Sequence, residues 1–308
     1  MIKDIPHGVY PTMITPYTKD NKIDYNGVLA LLDWYKKKGC DGIFAICQSS
    51  EIFFLSFEEK LELLKFIMKN KPEGLCIIAS GNTSDDNDEM VEDAKRYIDT
   101  GIDAYVFISN RFAKKEESDE IFLKNVFDVI NRLPDIALGI YECPYPYNRL
   151  LSPEVIKELS NTGKFRFLKD TCCDIAQIGK KIKAAGDSGF GIYNANSSSL
   201  LESLKLGCVG FSGVMGNFHP ELYSELYKVF KSDPKRAELI QNFVGFCSVA
   251  ECQVYPVNAK YHLSLDGVPI GYGSRTRDAL EFTESRRMEI DQLYAITQLF
   301  KEYIGLKN

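Results

Sequence analysis

Short apolar runs alternate with amphipathic stretches through most of this chain, and their spacing leaves few folds open. The runs are GVYPTMIT (8–15), GIFAIC (42–47), LCIIAS (75–80), AYVFIS (104–109), ALGIYECP (137–144), FRFLKD (165–170), FGIYNA (190–195) and GCVGFSGV (207–214). Most begin about thirty residues apart, the length of a strand plus the helix that carries the chain back to a parallel neighbour. Eight such units close most simply into a parallel (β/α)8 barrel, a TIM barrel. A doubly wound open sheet is the alternative, but no GxGxxG follows the first run and no P-loop occurs anywhere.

The stretches between the runs carry helix signals. In SFEEKLELLKFIMKN, Ser56 and Glu59 form a capping-box pair, and Leu61, Leu64 and Ile67 share a face. Ser152 reads as an N-cap with Pro153 at the first helical position, and HPELYSELYKVFK repeats the proline device. Gly39, Gly101 and Gly207 follow helical stretches, where a left-handed cap favours glycine. The barrel is expected to end near residue 232, at SDPKR. Residues 233–308 are expected to form a helical extension packed on it, leaving 1–232 as the catalytic unit.

The 308 residues are 45% hydrophobic, enough for a large core. Lys and Arg number 37 against 43 Asp and Glu, a net charge of −6. That balance, with no basic cluster, argues against a nucleic-acid partner, which would require phosphate neutralisation. No apolar run reaches membrane-spanning length, and the first residues lack a signal-peptide pattern, so a cytoplasmic protein is expected. The nine cysteines are odd in number, irregularly spaced and without CxxC, which suits reduced, packed thiols better than disulfides. His7, His219 and His262 lack ligand spacing, so no metal is expected.

The chemistry turns on one residue. In GKFRFLKDTCCD, Phe165, Phe167 and Leu168 read as a buried strand, and Lys169 sits at its end. Barrel chemistry gathers at the C-terminal ends of strands. An amine held there in a poorly solvated pocket loses its proton more readily, and the neutral amine can attack a ketone to form a Schiff base. The iminium stabilises a carbanion beside the former carbonyl, and a tyrosine hydroxyl on the neighbouring strand, Tyr141, is a suitable proton carrier. The structural alternative is a lysine that reaches out to solvent or pairs with Asp170.

These residues carry a resemblance. GVYPTMITPY, DYNGVLALLDWYKKKGCDGIF, IYECP, FLKD, GCVGFSGVMGN and YPVNAKYHL resemble, almost end to end, the dihydrodipicolinate synthase and N-acetylneuraminate lyase family of class I, pyruvate-handling aldolases. By that resemblance Lys169 is the Schiff-base lysine and Tyr141 the proton carrier. The fold is an eight-stranded barrel with a three-helix tail, and the assembly a homotetramer or homodimer. No cofactor is expected, because the iminium itself is the electron sink.

The resemblance breaks in places. The family's G-T-T-G-E or G-S-T-G-E loop reads Cys47-Gln48-Ser49-Ser50-Glu51 here. Ser49 stands at the second hydroxyl position, to bind a carboxylate and relay a proton to Tyr141. Gln48 replaces the first hydroxyl, and Ser50 replaces a glycine, with strain or a reshaped turn expected. Pro146 occupies the position of the arginine that holds the second substrate's carboxylate in the synthases, with Arg149 as a possible stand-in. Arg111 and Phe112 replace a tyrosine pattern shared between subunits, and NANSSS, with Ala195, replaces a G-x-D-like turn. Tyr145, Tyr147, Phe112, Asn194, Asn196 and Ser212 are expected to rewrite the distal pocket. Gln48, Ser50, Thr15, Arg149, Arg111, Ala195 and Ser212 form the expected substrate-binding set.

Cys143, Cys172 and Cys173 are expected near the mouth as packed thiols. Glu142, on the opposite strand face from Tyr141, is expected in a salt bridge or solvated. The resulting expectation is a Schiff-base lyase joining or cleaving a C–C bond of a 2-oxo acid, with pyruvate as donor or product and an aldehyde partner. The alternatives are a sugar-acid dehydratase using the same lysine, the synthase itself, which Pro146 disfavours, and a non-catalytic metabolite-binding homologue.

Overall fold

A computed structural model describes residues 2–306; residues 1, 307 and 308, the outer ends of the two expected units, lie outside the described residues. Eight parallel strands form one sheet: β1 (Gly8–Val9), β2 (Gly42–Ile46), β3 (Cys76–Ala79), β4 (Ala104–Ile108), β5 (Ala137–Tyr141), β6 (Phe165–Asp170), β7 (Gly191–Asn194) and β8 (Gly210–Phe211). Their order, β1-β8-β7-β6-β5-β4-β3-β2, brings the first and last strands together. The Thr12–Phe44 bridge then joins the segment after β1 to β2 and completes the (β/α)8 barrel.

The first and last strands are shorter than the apolar runs that mark them. Pro11 cannot donate to a ladder, and beyond Val9 the chain holds β2 through isolated bonds, Phe44 N–H to the Pro11 carbonyl and Met13 N–H to the Phe44 carbonyl. Gly207 begins the eighth run but ends the preceding helix at φ +117. Gly210 is glycine for a different reason: a Cβ there would stand 1.9 Å from the Gly8 carbonyl oxygen, so closure of the barrel requires its absence.

Helices α1 (Tyr25–Lys37), α2 (Phe57–Asn70), α3 (Asn87–Ile98), α4 (Asp119–Ile130), α5 (Pro153–Asn161), α6 (Ile175–Ala185), α7 (Leu200–Leu206) and α8 (Pro220–Val229) connect or follow the strands. The capping box at Ser56 and Glu59 forms in both directions, and Ser152 accepts from Val155 N–H. His219, before Pro220, gives no side-chain cap; its ring is buried against Tyr223 and Phe243 instead.

Aromatic rings fill the barrel interior. Phe167 lies 4.4 Å from Tyr193, 5.8 Å from Tyr10 and 6.0 Å from Phe44, ring centre to ring centre. Phe44 in turn lies 5.7 Å from Tyr141. This plug gives the C-terminal end of the barrel a dry floor.

The extension comprises α9 (Pro234–Cys247), α10 (Val257–Leu265) and α11 (Glu284–Tyr303). It grips the barrel mouth through Glu51. That buried carboxylate accepts from Lys260 Nζ on α10 at 3.0 Å, and from Ser274 Oγ and the Arg275 and Thr276 amides. No helix among the described residues is long and apolar enough to cross a membrane.

Candidate active site

The register of β5 against β6 sets Tyr141 directly beside Lys169. Tyr141 is the last residue of β5 and Lys169 the last but one of β6, where the apolar ladder gives way to the mouth. Lys169 is only 4% exposed. Its ammonium lies 4.3 Å from the centre of the Tyr141 ring, with no ion-pair or hydrogen-bond partner among the described residues. Asp170 pairs with Lys181, not with Lys169. Burial therefore pushes the Lys169 pKa below its usual 10.5, opposed only partly by Cys47, Cys143 and Glu251. Burial likewise pushes the Tyr141 hydroxyl well above its usual range. A lysine inclined to lose its proton thus faces a phenol inclined to keep one.

A second buried lysine lies just behind. Lys181 on α6 reaches Glu142 Oε1 at 2.5 Å and Asp170 Oδ2 at 2.6 Å. Glu142 also accepts from the Leu151 and Thr171 amides, and Thr171 Oγ1 donates to its carbonyl. One carboxylate thus ties together the ends of β5 and β6 and the two loops that follow. Burial, with Asp170's charge, pushes Glu142 up to about 7, while the two carboxylates push Lys181 up to about 12 despite its own desolvation.

Lys169 and Tyr141 open into a cavity of about 690 Å³. Of the residues singled out from the sequence, Gln48, Ser49, Ala195, Tyr145 and Asn196 share its lining. The partner of the Tyr141 hydroxyl is the Gln48 Oε1, at 3.2 Å; Ser49 Oγ instead donates to Thr12 Oγ1 at 2.9 Å. The expected Ser49-to-Tyr141 relay is therefore absent from this geometry, displaced by the longer amide side chain.

Other expected residues do not reach the cavity. Ser50 is buried, its Oγ accepting from Cys47 N–H at 2.6 Å and donating to the Cys47 carbonyl at 2.8 Å. The expected strain falls one residue later, on Glu51 at φ +64. Thr15 Oγ1 donates to the Ser50 carbonyl and supports the turn from beneath. Arg149 gives its guanidinium to the Lys114, Glu117 and Ser118 carbonyls and to Asp119, closing the loop after β4 rather than standing in for the missing arginine. Arg111 pairs with Asp85 at 3.1 Å and stacks on Phe53. Phe112 is buried packing, and Ser212 is buried with its hydroxyl unpartnered among the described residues. Asn194 bonds Ser199 and Ser203, and Tyr147 the Asn110 and Ala113 carbonyls.

Cys143 is packed as expected, and all nine cysteines are free thiols. Cys173 departs from the expectation: it is exposed and lines the cavity. The cavity also receives Glu251, Cys252, Tyr255, Thr276 and Arg277 from the extension. Nothing in local sequence pattern marks these five, because their role depends on how the extension folds back over the mouth.

Comparison with known proteins agrees with this architecture. The profile of the dihydrodipicolinate synthetase family matches residues 5–292. The 4-hydroxy-tetrahydrodipicolinate synthase of Haloarcula marismortui is 26% identical over 240 residues, covering 78% of this chain and 77% of that protein. Among solved structures, YagE, a prophage protein of the dihydrodipicolinic acid synthase family from E. coli K12 in complex with pyruvate, superposes with a TM-score of 0.84. It is 22% identical, and the match covers 96% of this chain and 98% of YagE. CdNal from Clostridium difficile, in complex with mannosamine, gives 0.82 at 23% identity, covering 94% and 99%.

Proposed function

Because the chain belongs to the dihydrodipicolinate synthetase family, whose members are lyases, we propose that it is a Schiff-base lyase for a 2-oxo acid, with pyruvate as donor or product. The observation that carries this reading is Lys169: a buried amine with no ion-pair partner among the described residues, at the floor of a large cavity and beside a tyrosine. The Lys169 amine adds to the ketone carbon, and loss of water leaves an iminium. Removal of a C3 proton gives the enamine, which adds to an aldehyde carbon. The new alkoxide takes a proton, with Tyr141 as carrier, and water releases the product and the free amine. The iminium is the electron sink, so the reaction calls for no metal or other cofactor.

Two relatives support pyruvate as the ligand, since YagE and a synthase from Acinetobacter baumannii were each solved with it. The synthase reaction that names the sequence relatives is not our reading for this chain. Pro146 stands where the family pattern has its carboxylate-binding arginine, and both terminal nitrogens of Arg149 are bonded to the loop after β4. We place the protein in the cytoplasm as a homodimer or homotetramer. Exposed Phe246, Val249, Leu299 and Tyr303 on the extension support the assembly.

The test is borohydride reduction in the presence of pyruvate, with the adduct located by peptide mass spectrometry. A mass increase on Lys169, absent from Lys169→Ala, is the expected result. No adduct with pyruvate or with larger 2-oxo acids overturns the proposal in favour of a metabolite-binding protein. Loss of water from a sugar acid without release of pyruvate moves it to the dehydratase.

A further inference from the structure

The cavity holds a carboxyl group that the reaction above leaves unused. Glu251 lies on the short turn of helix at Ser248–Cys252, between α9 and α10, and lines the same space as Lys169. Among the described residues it has no ion-pair or hydrogen-bond partner, and Lys169 is the charged group that acts on it. Burial raises its pKa. Its carboxyl faces the open cavity, where water reaches it, and a ligand that displaces that water must replace its hydrogen bonds with donors of its own.

Three guanidiniums are engaged away from the cavity, leaving Arg277 as the one in its lining among the described residues. Arg149 is engaged with backbone carbonyls, Arg111 with Asp85 and Arg275 with Glu59. Arg277 reaches the lining from the outer edge, half exposed and 3.8 Å from Glu281. Neutral groups, Asn196 and Thr276, also line the cavity. The volume of about 690 Å³ far exceeds a three-carbon oxo acid and suits an acceptor of several further carbons.

Resting on the Schiff-base reading, we infer that Glu251 sets specificity for the acceptor half of the substrate, accepting hydrogen bonds from the hydroxyls of a hydroxyaldehyde and disfavouring an acceptor with its own carboxylate. The hydroxyls supply the donors the carboxyl lacks. A second carboxylate would meet like charge, or would need an extra proton between the two groups.

The test pairs pyruvate with three aldehydes: glyceraldehyde, its dideoxy counterpart propanal, and succinic semialdehyde. Wild-type protein is expected to favour glyceraldehyde over succinic semialdehyde. Glu251→Ala is expected to lower kcat/KM for glyceraldehyde roughly 10- to 100-fold, mostly through KM, while propanal stays within about threefold. Glu251→Gln falls between, because its amide oxygen still accepts from a hydroxyl. The borohydride-trapped pyruvate adduct on Lys169 is expected to persist in both variants, forming at least as readily because the Glu251 charge no longer helps Lys169 keep its proton, which also shows that they fold. Wild-type preference for succinic semialdehyde, equal losses on glyceraldehyde and propanal, loss of the pyruvate adduct in the variants, or no turnover of any aldehyde overturns the inference. A missing adduct in the wild type instead brings down the Schiff-base reading on which it rests, so the two failures are distinguishable.

Discussion

Lys169 and Lys181 are both buried, one at the end of β6 and the other on the helix that follows. Lys181 sits between two carboxylates at 2.5 and 2.6 Å and is pushed up to about 12. Lys169 meets only the face of Tyr141 and is pushed down. A folded chain can bury an amine by pairing it or by letting its proton go. The first solution fixes structure and is chemically inert. The second leaves a nucleophile and a folding cost. Burial pushes Lys169 down and no partner offsets it, whereas two carboxylates outweigh the same desolvation at Lys181; the single carboxylate of Glu51 does not do so at the buried Lys260, which is also pushed down.

Exchanging the two losses breaks the comparison if it is wrong. Lys169→Ala is expected to reduce turnover by about 10⁴-fold or more while leaving the thermal midpoint unchanged or raised. Lys181→Met is expected to cost about 3–5 kcal/mol of stability, because it strands Glu142 and Asp170 without a counter-charge. It should still form the Lys169 adduct at a temperature where it is folded. Calorimetry and borohydride trapping on both variants check the pair, and a destabilised Lys169→Ala with a stable Lys181→Met would reverse the assignment.

The next effect in size concerns the phenol. Tyr141→Phe keeps the ring against Lys169 and Phe44 and removes only the hydroxyl, the proposed proton carrier. Turnover is expected to fall by about 10²–10⁴-fold, with stability nearly unchanged, as read by steady-state kinetics beside a melting curve.

The pH response separates the two lysines again. Lys169 holds its proton less tightly folded than unfolded, so its contribution to stability grows as pH rises towards 10.5. Adduct formation should quicken over the same rise, as the neutral amine becomes more abundant. Glu142 works in the opposite sense. Its pKa is raised from 4.5 to about 7, so the stability linked to its protonation is complete below 4.5 and is lost as pH rises through about 7. Glu142→Gln is expected to remove about 1–3 kcal/mol of pH dependence between those limits, measured by denaturant unfolding across the range. An unchanged slope would mean that Glu142 titrates normally.

What could be read from the sequence follows the same division. The barrel was legible because strand runs, capping boxes and cap glycines are local signals, and Lys169 and Tyr141 because a polar residue at the end of an apolar strand is conspicuous. Glu142 was legible as a far-face residue in a salt bridge or solvated; its partner was not, since Lys181 lies on another element. Arg149 and Arg111 were misleading for a related reason: charge and position in a loop do not reveal whether carbonyls or carboxylates elsewhere have already claimed a guanidinium. Glu251, Thr276 and Arg277 were not legible at all, and Tyr255 only as the first residue of a family-like segment, not as a wall of the cavity. They reach the cavity because Lys260, the Ser274 hydroxyl and the Arg275 and Thr276 amides fasten the extension onto Glu51, a contact between distant parts of the chain.

The smallest effect tests a place where the Lys169–Tyr141 floor meets the loop that departs from the family pattern. Gln48 Oε1 accepts from the Tyr141 hydroxyl at 3.2 Å and stands 3.5 Å from the Cys143 thiol. An amide oxygen can hold the phenol proton but cannot pass one on, since it has no proton of its own to give in exchange. Gln48→Thr shortens the side chain and restores a hydroxyl, which can both accept and donate. Loss of a neutral hydrogen bond of this kind is worth about 2- to 10-fold. If Gln48 serves mainly to orient Tyr141, the variant should lose activity within that range and keep its adduct yield. If the hydroxyl instead opens a path from Tyr141 to Ser49, only 2.9 Å from Thr12, turnover should rise. In that case the altered loop has tuned down a proton route rather than replaced it, and the rim differs from the floor in degree and not in kind.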